Sequence, residues 1–232
     1  MSMIIADTET DALHGRAIEY AWIGLNPSLG IIAEFLQRYD PERPIDAGAT
    51  AVHHITDADV AGKPSYKEIT VPNGTEYIIG HNIDYDIGVL ELSGLDMSNY
   101  KRICTLALAR KAFPELKRHT ITALIEALSD TPEEAAEMLQ NAHSALADVK
   151  MTLIILKHCL KKMGLGNHPE LIWIASEEAR IPTHMPFGKH KGVPMAKLDQ
   201  GYITWALANM TNIDQYLRKA LLSAQAAIPV HS

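Results

Sequence analysis

Four apolar residues near the start of the chain, Met3-Ile4-Ile5-Ala6, run straight into Asp7-Thr8-Glu9. The run predicts a short buried strand, and the rest of the chain supplies a sheet around it. Ala17 to Leu25 alternates as a second strand. Asn26-Pro27-Ser28-Leu29-Gly30 carries turn chemistry, and Ile31 to Phe35 returns as a third strand, completing a β-meander. Side chains on a strand alternate with period 2, so Asp7 and Glu9 point to one face of this sheet. A strand ending in DxE is common on protein surfaces, and alone it decides nothing.

The pattern then changes. Thr56, with Asp57 and Asp59 behind it, opens a short helix to Gly62. Tyr77-Ile78-Ile79-Gly80 is a compact fourth strand, and a helix follows from Asp86 to Leu92. Ile103 to Leu108 begins as a fifth strand and turns helical. Apolar spacing at Ile121, Leu124, Ile125 and Leu128 predicts a helix over Thr120 to Leu128. Thr131-Pro132-Glu133-Glu134 starts another, with Pro at the first helical position. Ser144 to Lys162 is a long helix with Leu146, Val149, Leu153, Ile154, Leu156 and Leu160 inward. Lys157, Lys161 and Lys162 lie at its C-terminal end, where the helix dipole favours cations. Early strands followed by strand–helix alternation predict an α/β fold with a mixed sheet flanked by helices. Gly164 to Pro169 reads as a break, giving a domain over 1–165, a linker over 166–182 and a small, mainly helical C-terminal module over 183–232.

Composition narrows the class. A chain of 232 residues with 47% apolar and 21% charged residues is ordinary for a globular protein with one sizeable core. No apolar run approaches the roughly 20 residues of a membrane span. The N-terminus has neither a basic n-region nor an apolar h-region, so a cytoplasmic location is expected. Cys104 and Cys159 lie in apolar surroundings without a CxxC partner and read as buried thiols. The net charge of −7 argues against a broad basic surface for nucleic acid. Its distribution is uneven. Residues 183–232 hold five Lys and Arg against two Asp, a balance of +3, which leaves −10 on the body.

Two further blocks give the DxE pair its meaning. His81-Asn82-Ile83-Asp84-Tyr85-Asp86 places carboxylates at a strand-to-helix junction, and His143-Ser144-Ala145-Leu146-Ala147-Asp148 opens the long helix. Five residues at about 100° each put Asp148 roughly 140° around a helix from His143, so the two cannot share a face if both are helical. Ser144 as N-cap would leave His143 on the preceding loop, a movable base beside a fixed ligand. Oxygen-only ligands favour hard cations such as Mg²⁺ or Mn²⁺. Four clustered carboxylates repel one another until a cation neutralises them. Two metals about 4 Å apart could clamp the attacking and leaving oxygens of a phosphodiester, and a His with an ordinary pKa near 6.5 could take the proton of the attacking water.

The blocks DxE, HNxxxD and HxxxxD, in this order within the first 150 residues, resemble the DEDDh branch of the DnaQ-like exonucleases, which have an RNase H-like fold with a five-stranded mixed sheet. Ala51-Val52-His53-His54-Ile55-Thr56, then Val60-Ala61-Gly62-Lys63-Pro64, and Ile103 to Arg110 resemble it too. Phe187-Gly188-Lys189-His190-Lys191-Gly192, followed by Tyr202 to Leu207, is similar to the C-terminal module of the exonuclease X-like proteins of bacteria and phage.

The resemblance implies metal ligands at Asp7, Glu9, Asp86 and Asp148, a general base at His143, and two Mg²⁺ ions for which Mn²⁺ can substitute. Family spacing selects Asp86 over Asp84. The family usually has Phe before that Asp; Tyr85 here keeps the ring. Substrate contacts are implied at Thr8, Thr10, Leu13, Asn82 and Tyr85. Leu13 reads equally as a wedge against terminal bases or as a core leucine beside a turn, and Asn82 reads more as a helix cap than as a substrate contact. His53 and His54 read as structural. Lys189 and Lys191 are candidate phosphate contacts. Tyr202, Trp205 and Tyr216 could stack on bases, but Tyr202 and Trp205, with Leu207, Leu217, Leu221 and Leu222, read first as the core of a small helical unit. The implied activity is 3′→5′ hydrolysis of DNA ends, single-stranded or duplex, releasing nucleoside 5′-monophosphates. The rivals are the same chemistry on RNA or short oligonucleotides, and a non-catalytic nucleic-acid-binding module, which would have no need of four converging carboxylates.

Overall fold

A computed structural model describes residues 2–140, 144–211 and 213–226. Strands β1 (Met3–Thr10), β2 (Ala17–Leu25) and β3 (Ile31–Arg38) form the expected meander, with β1 and β3 longer than their apolar runs. Helices α1 (Ala47–His53) and α2 (Asp57–Val60) follow. The sequence reading missed α1, which is capped by Asp46 and closed by His54 in the left-handed region. Strand β4 (Tyr77–Gly80) leads into α3 (Asp84–Leu92), and β5 (Lys101–Cys104) passes directly into α4 (Thr105–Ala112). Helices α5 (Ile121–Leu128), α6 (Pro132–Leu139) and the long α7 (Ala145–Met163) complete the alternation.

The sheet runs in the order β3-β2-β1-β4-β5. β1 is its centre: antiparallel to β2, with Asp7 opposite Ala21 and Glu9 opposite Glu19, and parallel to β4 from Met3↔Tyr77 to Ile5↔Ile79. This is the five-stranded mixed sheet flanked by helices that the order of strands and helices implied, and it is the RNase H-like arrangement. Central position explains why Met3, Ile4, Ile5 and Ala6 are all buried. Helix α7 lies against β1 and β2 and packs on its other side against α4 and α5. It is therefore buried more broadly than one apolar stripe. Val149, Leu153, Leu156 and Leu160 are inside as expected, joined by Met151, Ile155 and Cys159, while Leu146 and Ile154 are only half-buried. Both cysteines are buried thiols, and burial pushes Cys159 up to about 12.

The stretch expected to be a linker is largely helix. α8 (Pro169–Ala179) fills most of it, and the Cys104 N–H donates to Ser176 Oγ at 2.8 Å, tying the helix to the end of β5. The chain divides into two compact units inside this helix, Met1–Ser176 and Glu177–Ser232. The second unit is mainly helical, built from α9 (Gln200–Asn209) and α10 (Gln215–Ala226) around Met185, Leu198, Ile203, Ala206, Leu217 and Leu221. Two expected core residues are not in it: Trp205 is 53% exposed and Leu222 50%. Among the described residues, no helix is long and apolar enough to cross a membrane.

Candidate active site

The site forms where β1 outruns β4. β4 ends at Gly80, while β1 continues to Thr10. Beyond that point the Thr8 N–H has no strand to donate to, and it donates instead to Asp86 Oδ1 at 3.0 Å, with Thr8 Oγ1 donating to the same oxygen at 2.8 Å. Asp86 stands in the first turn of α3, which begins two residues earlier than the sequence suggested. The turn from β4 into α3 is tight. A Cβ on Gly80 would lie 2.7 Å from Ile83 Cδ1 and 3.2 Å from the Ala6 carbonyl, so a larger residue would have to displace the Ile83 side chain and crowd β1. Asn82 takes φ +71°, in the left-handed region that asparagine tolerates better than most residues. It does not cap α3: Ile83 holds the N-cap position, without a side-chain bond. The exposed Asn82 side chain instead borders the cleft described below.

Asp7 and Glu9, two apart on β1, converge with Asp148 of α7, and one oxygen from each lies within 4.8 Å of the others. Asp86 completes the group from the open edge of β1. All of this is carboxylate oxygen in a largely enclosed place, and the charges oppose one another. Asp7 is held well above the usual carboxylate range by burial and then by Asp86, Asp148, Glu9 and Glu19. Burial, followed by Asp148, Glu19 and Asp86, raises Glu9 to about 8. Asp86 is also raised, chiefly by burial, against the opposing pull of its bonds from Thr8. Such a group either binds protons or binds a cation, and an all-oxygen donor set suits a hard divalent ion.

The site's two threonines are committed inward. Thr8 serves Asp86. Thr10 Oγ1 donates to the Ala12 carbonyl at 2.9 Å and so accepts from the Tyr85 phenol at 2.7 Å, which puts the hydroxyl that distinguishes Tyr85 from phenylalanine to structural use. Leu13 is 83% exposed, which removes the reading of a core leucine. Its loop is anchored: buried Asp11 accepts the Arg16 N–H at 2.7 Å and pairs with Arg43, whose Nε and Nη2 donate to its two oxygens. His14, at φ +57°, sits 5.6 Å from the Tyr85 ring. His53 is buried and accepts the Ile55 N–H at 3.0 Å, the structural role expected of it. The expected general base, His143, lies outside the described residues.

Two sets of residues escaped the sequence reading. Glu19 is 3% exposed in β2, opposite Glu9, and takes the Ala145 N–H on Oε1 at 3.1 Å and Arg38 Nε on Oε2 at 3.1 Å. It thus satisfies the first free amide of α7, while Ser144 holds the N-cap position as expected but its side chain makes no cap bond. The available signal was one Glu inside the otherwise apolar AIEYAWIGL. The second set is a cleft of about 550 Å³ that reaches Asp148 and is bordered by Asn82, Arg110, Lys117 and Arg118. His81 forms part of its wall, bonded to Thr105 Oγ1 at 3.0 Å and the His119 carbonyl at 2.7 Å; burial lowers its pKa to about 4, so it is neutral.

A family model described as exonuclease matches residues 4–156, which span all five strands but for Met3 and take in the three acidic blocks. The chain belongs to the DEDDh-type exonuclease family. Exodeoxyribonuclease 10 of Escherichia coli (strain K12) is 30% identical over 229 residues, covering 94% of this chain and 96% of that protein. The DNA polymerase III subunit epsilon of Haemophilus influenzae is 30% identical over 169 residues, 64% of this chain and 63% of the other. A solved structure of exonuclease X in complex with 5′ overhanging duplex DNA superposes with a TM-score of 0.59 at 28% identity, over 75% of this chain and 99% of that one. As an exonuclease of this family the chain is a metal-dependent nuclease hydrolase, and Asp7, Glu9 and Asp148 form an acidic cluster that could hold a metal ion.

Proposed function

We propose that the protein is a 3′→5′ exodeoxyribonuclease that removes nucleotides one at a time from DNA 3′ ends, single-stranded or duplex, as nucleoside 5′-monophosphates. What carries this reading is the convergence of Asp7, Glu9 and Asp148 oxygens within 4.8 Å, beside an Asp86 pinned by Thr8. Asp7, Glu9, Asp86 and Asp148 would hold two Mg²⁺ ions, with Mn²⁺ able to replace them. When bound, such a pair stabilises charge on the phosphoryl group and on the attacking and leaving oxygens. His143 takes the proton of the attacking water. Leu13 stands on its anchored loop as an apolar contact for the terminal bases, with Tyr85 and Asn82 at the entrance. Thr8 and Thr10 act behind them, fixing Asp86 and Tyr85. Arg110, Lys117 and Arg118 supply the positive charge that the acidic body otherwise lacks, along the cleft that ends at Asp148. DNA is favoured over RNA because the exodeoxyribonuclease relative matches along nearly its full length. The protein works in the cytoplasm, where its two buried thiols stay reduced.

The test is degradation of end-labelled single-stranded DNA, duplex DNA and RNA in Mg²⁺, run beside Glu9→Ala. The DNA strands should shorten from the 3′ end and the RNA should not. Activity that survives in Glu9→Ala would sink the site assignment.

A further inference from the structure

The second unit carries a surface that phosphodiester chemistry does not use. Residues 184–194 fold back on themselves: Met185 N–H donates to the Val193 carbonyl and Gly192 N–H to the Met185 carbonyl, both at 2.8 Å. Gly188 and Gly192, at φ +72° and +81°, make a reversal that other residues resist. The fold leaves Phe187, Lys189 and Lys191 exposed at the tip and sets the His190 ring 4.1 Å from Tyr202. Tyr202 in turn stacks on Trp205, nearly one turn along α9, at 5.9 Å and 28°. A cleft of about 570 Å³ lies among Phe187, Lys189, His190, Tyr202, Trp205 and Met210. Asp199, also at the cleft, is engaged as the N-cap of α9, accepting the Tyr202 N–H at 3.1 Å.

Ile203 and Ala206 already give α9 its buried face, so this unit packs without Trp205 or Phe187, which are 53% and 42% exposed. Among the described residues, neither Lys189 nor Lys191 has an ion-pair partner, and the segment from 183 onward carries +3. Exposed flat rings beside unengaged ammonium groups select a ligand that is itself flat and carries an anion. A quaternary ammonium would suit the rings but meet two lysines. An apolar peptide would leave both charges unanswered. An unpaired nucleotide answers both: its base stacks on an aromatic ring and its phosphate meets lysine. The volume suits a ligand of that size.

We infer that this cleft is a second nucleic-acid site, taking an unpaired nucleotide of single-stranded DNA with Trp205 and Phe187 as stacking surfaces and Lys189 and Lys191 as phosphate contacts. The inference rests on the reading that the first unit digests DNA, and its effect is to keep the strand at high local concentration near the nuclease.

The experiment uses the full chain in two arms. Binding of a fluorescent 20-nucleotide oligo-dT is measured by anisotropy in EDTA, so that no cleavage occurs. Hydrolysis of thymidine 5′-(p-nitrophenyl phosphate) in Mg²⁺ reports the nuclease centre alone. Trp205→Ala should weaken oligo-dT binding by about tenfold or more, while Trp205→Phe, which keeps a stacking ring, retains most of it. A strand of abasic sites should bind wild type and Trp205→Ala alike. Replacing Lys189 and Lys191 together by Ala should reduce the salt slope by about 1.4. None of these variants should change hydrolysis of the small substrate. Unchanged oligo-dT affinity in Trp205→Ala, or an equal loss on the abasic strand, overturns the second site. Failure of wild type to hydrolyse the small substrate would count against the nuclease reading and leave the binding arm to be judged separately.

Discussion

The end of β1 and the tip of the second unit are both rich in polar and aromatic side chains, yet they are built in opposite ways. At β1 nearly every group is fastened: Thr8 to Asp86, Thr10 to Tyr85, Asp11 to Arg43, Glu19 to the first amide of α7. Around 184–205 the rings of Phe187 and Trp205 and the ammonium groups of Lys189 and Lys191 stand in water. Fastening is what a cluster of like charges needs, because repulsion would otherwise spread the carboxylates and destroy the geometry a cation requires. Exposure is what a site for a variable strand needs, since stacking tolerates every base. The contrast implies that substitutions near β1 act on turnover and on metal-linked stability, and that those near Trp205 act on the affinity of long strands.

The largest effect should come from Asp7→Asn, with a loss of at least about 10³ in kcat as several kcal/mol of transition-state stabilisation disappear. Oligo-dT affinity in EDTA should be unchanged. A matching loss of affinity would erase the contrast between the regions.

Next is the role of Glu19. Glu19→Gln keeps the shape but removes the charge that holds Ala145 and Arg38. Supporting contacts of this kind are worth about 10- to 100-fold. The loss should appear in kcat and in the Mg²⁺ concentration for half-activity, with KM for DNA little altered. Glu19→Asp, which keeps the charge, should recover part of it. A change confined to KM would place Glu19 in strand binding instead.

Metal-free stability gives a further contrast. Glu9, raised by burial from 4.5 to about 8, binds its proton more tightly folded than unfolded. Its protonated form therefore supports the fold fully below about pH 4.5, and that contribution is lost as pH rises through about 8. In EDTA the melting temperature should fall across this window, fall less in Glu9→Gln, and recover in wild type on adding Mg²⁺. Parallel curves for wild type and Glu9→Gln would contradict the assignment. The smallest effect belongs to Tyr85→Phe, which removes only the phenol bond to Thr10. It should cost about 1 kcal/mol of stability by denaturant titration and change kcat less than about threefold.

Much of the first unit was legible in the sequence because its signals are local. The β-meander, the DxE pair on a period-2 strand, the placement of Asp86 and Asp148 near helix starts and the two short strands before helices all follow from neighbouring residues. What was missed depends on register and packing. Glu19 acquires its role only because β2 pairs in a register that sets it opposite Glu9 and beneath α7. Arg110, Lys117 and Arg118 line a cleft only once α4 and the loop after it are folded against β4. An apolar ring at Trp205 suggests core, but local sequence does not say which face of α9 is covered. The buried face of α9 is the one carrying Ile203 and Ala206. Asn82 has the residue type and place of a cap, but it takes a left-handed backbone and the cap position falls at Ile83.

The central claim is that the four carboxylates hydrolyse DNA from its 3′ end. Product analysis of a 5′-labelled single strand, sampled through time in Mg²⁺, tests it most directly. The account predicts a ladder that shortens one nucleotide at a time from the 3′ end, release of nucleoside 5′-monophosphates, and silence in Asp7→Asn. Internal fragments appearing first, nucleoside 3′-monophosphates among the products, or an unchanged ladder from Asp7→Asn would contradict it.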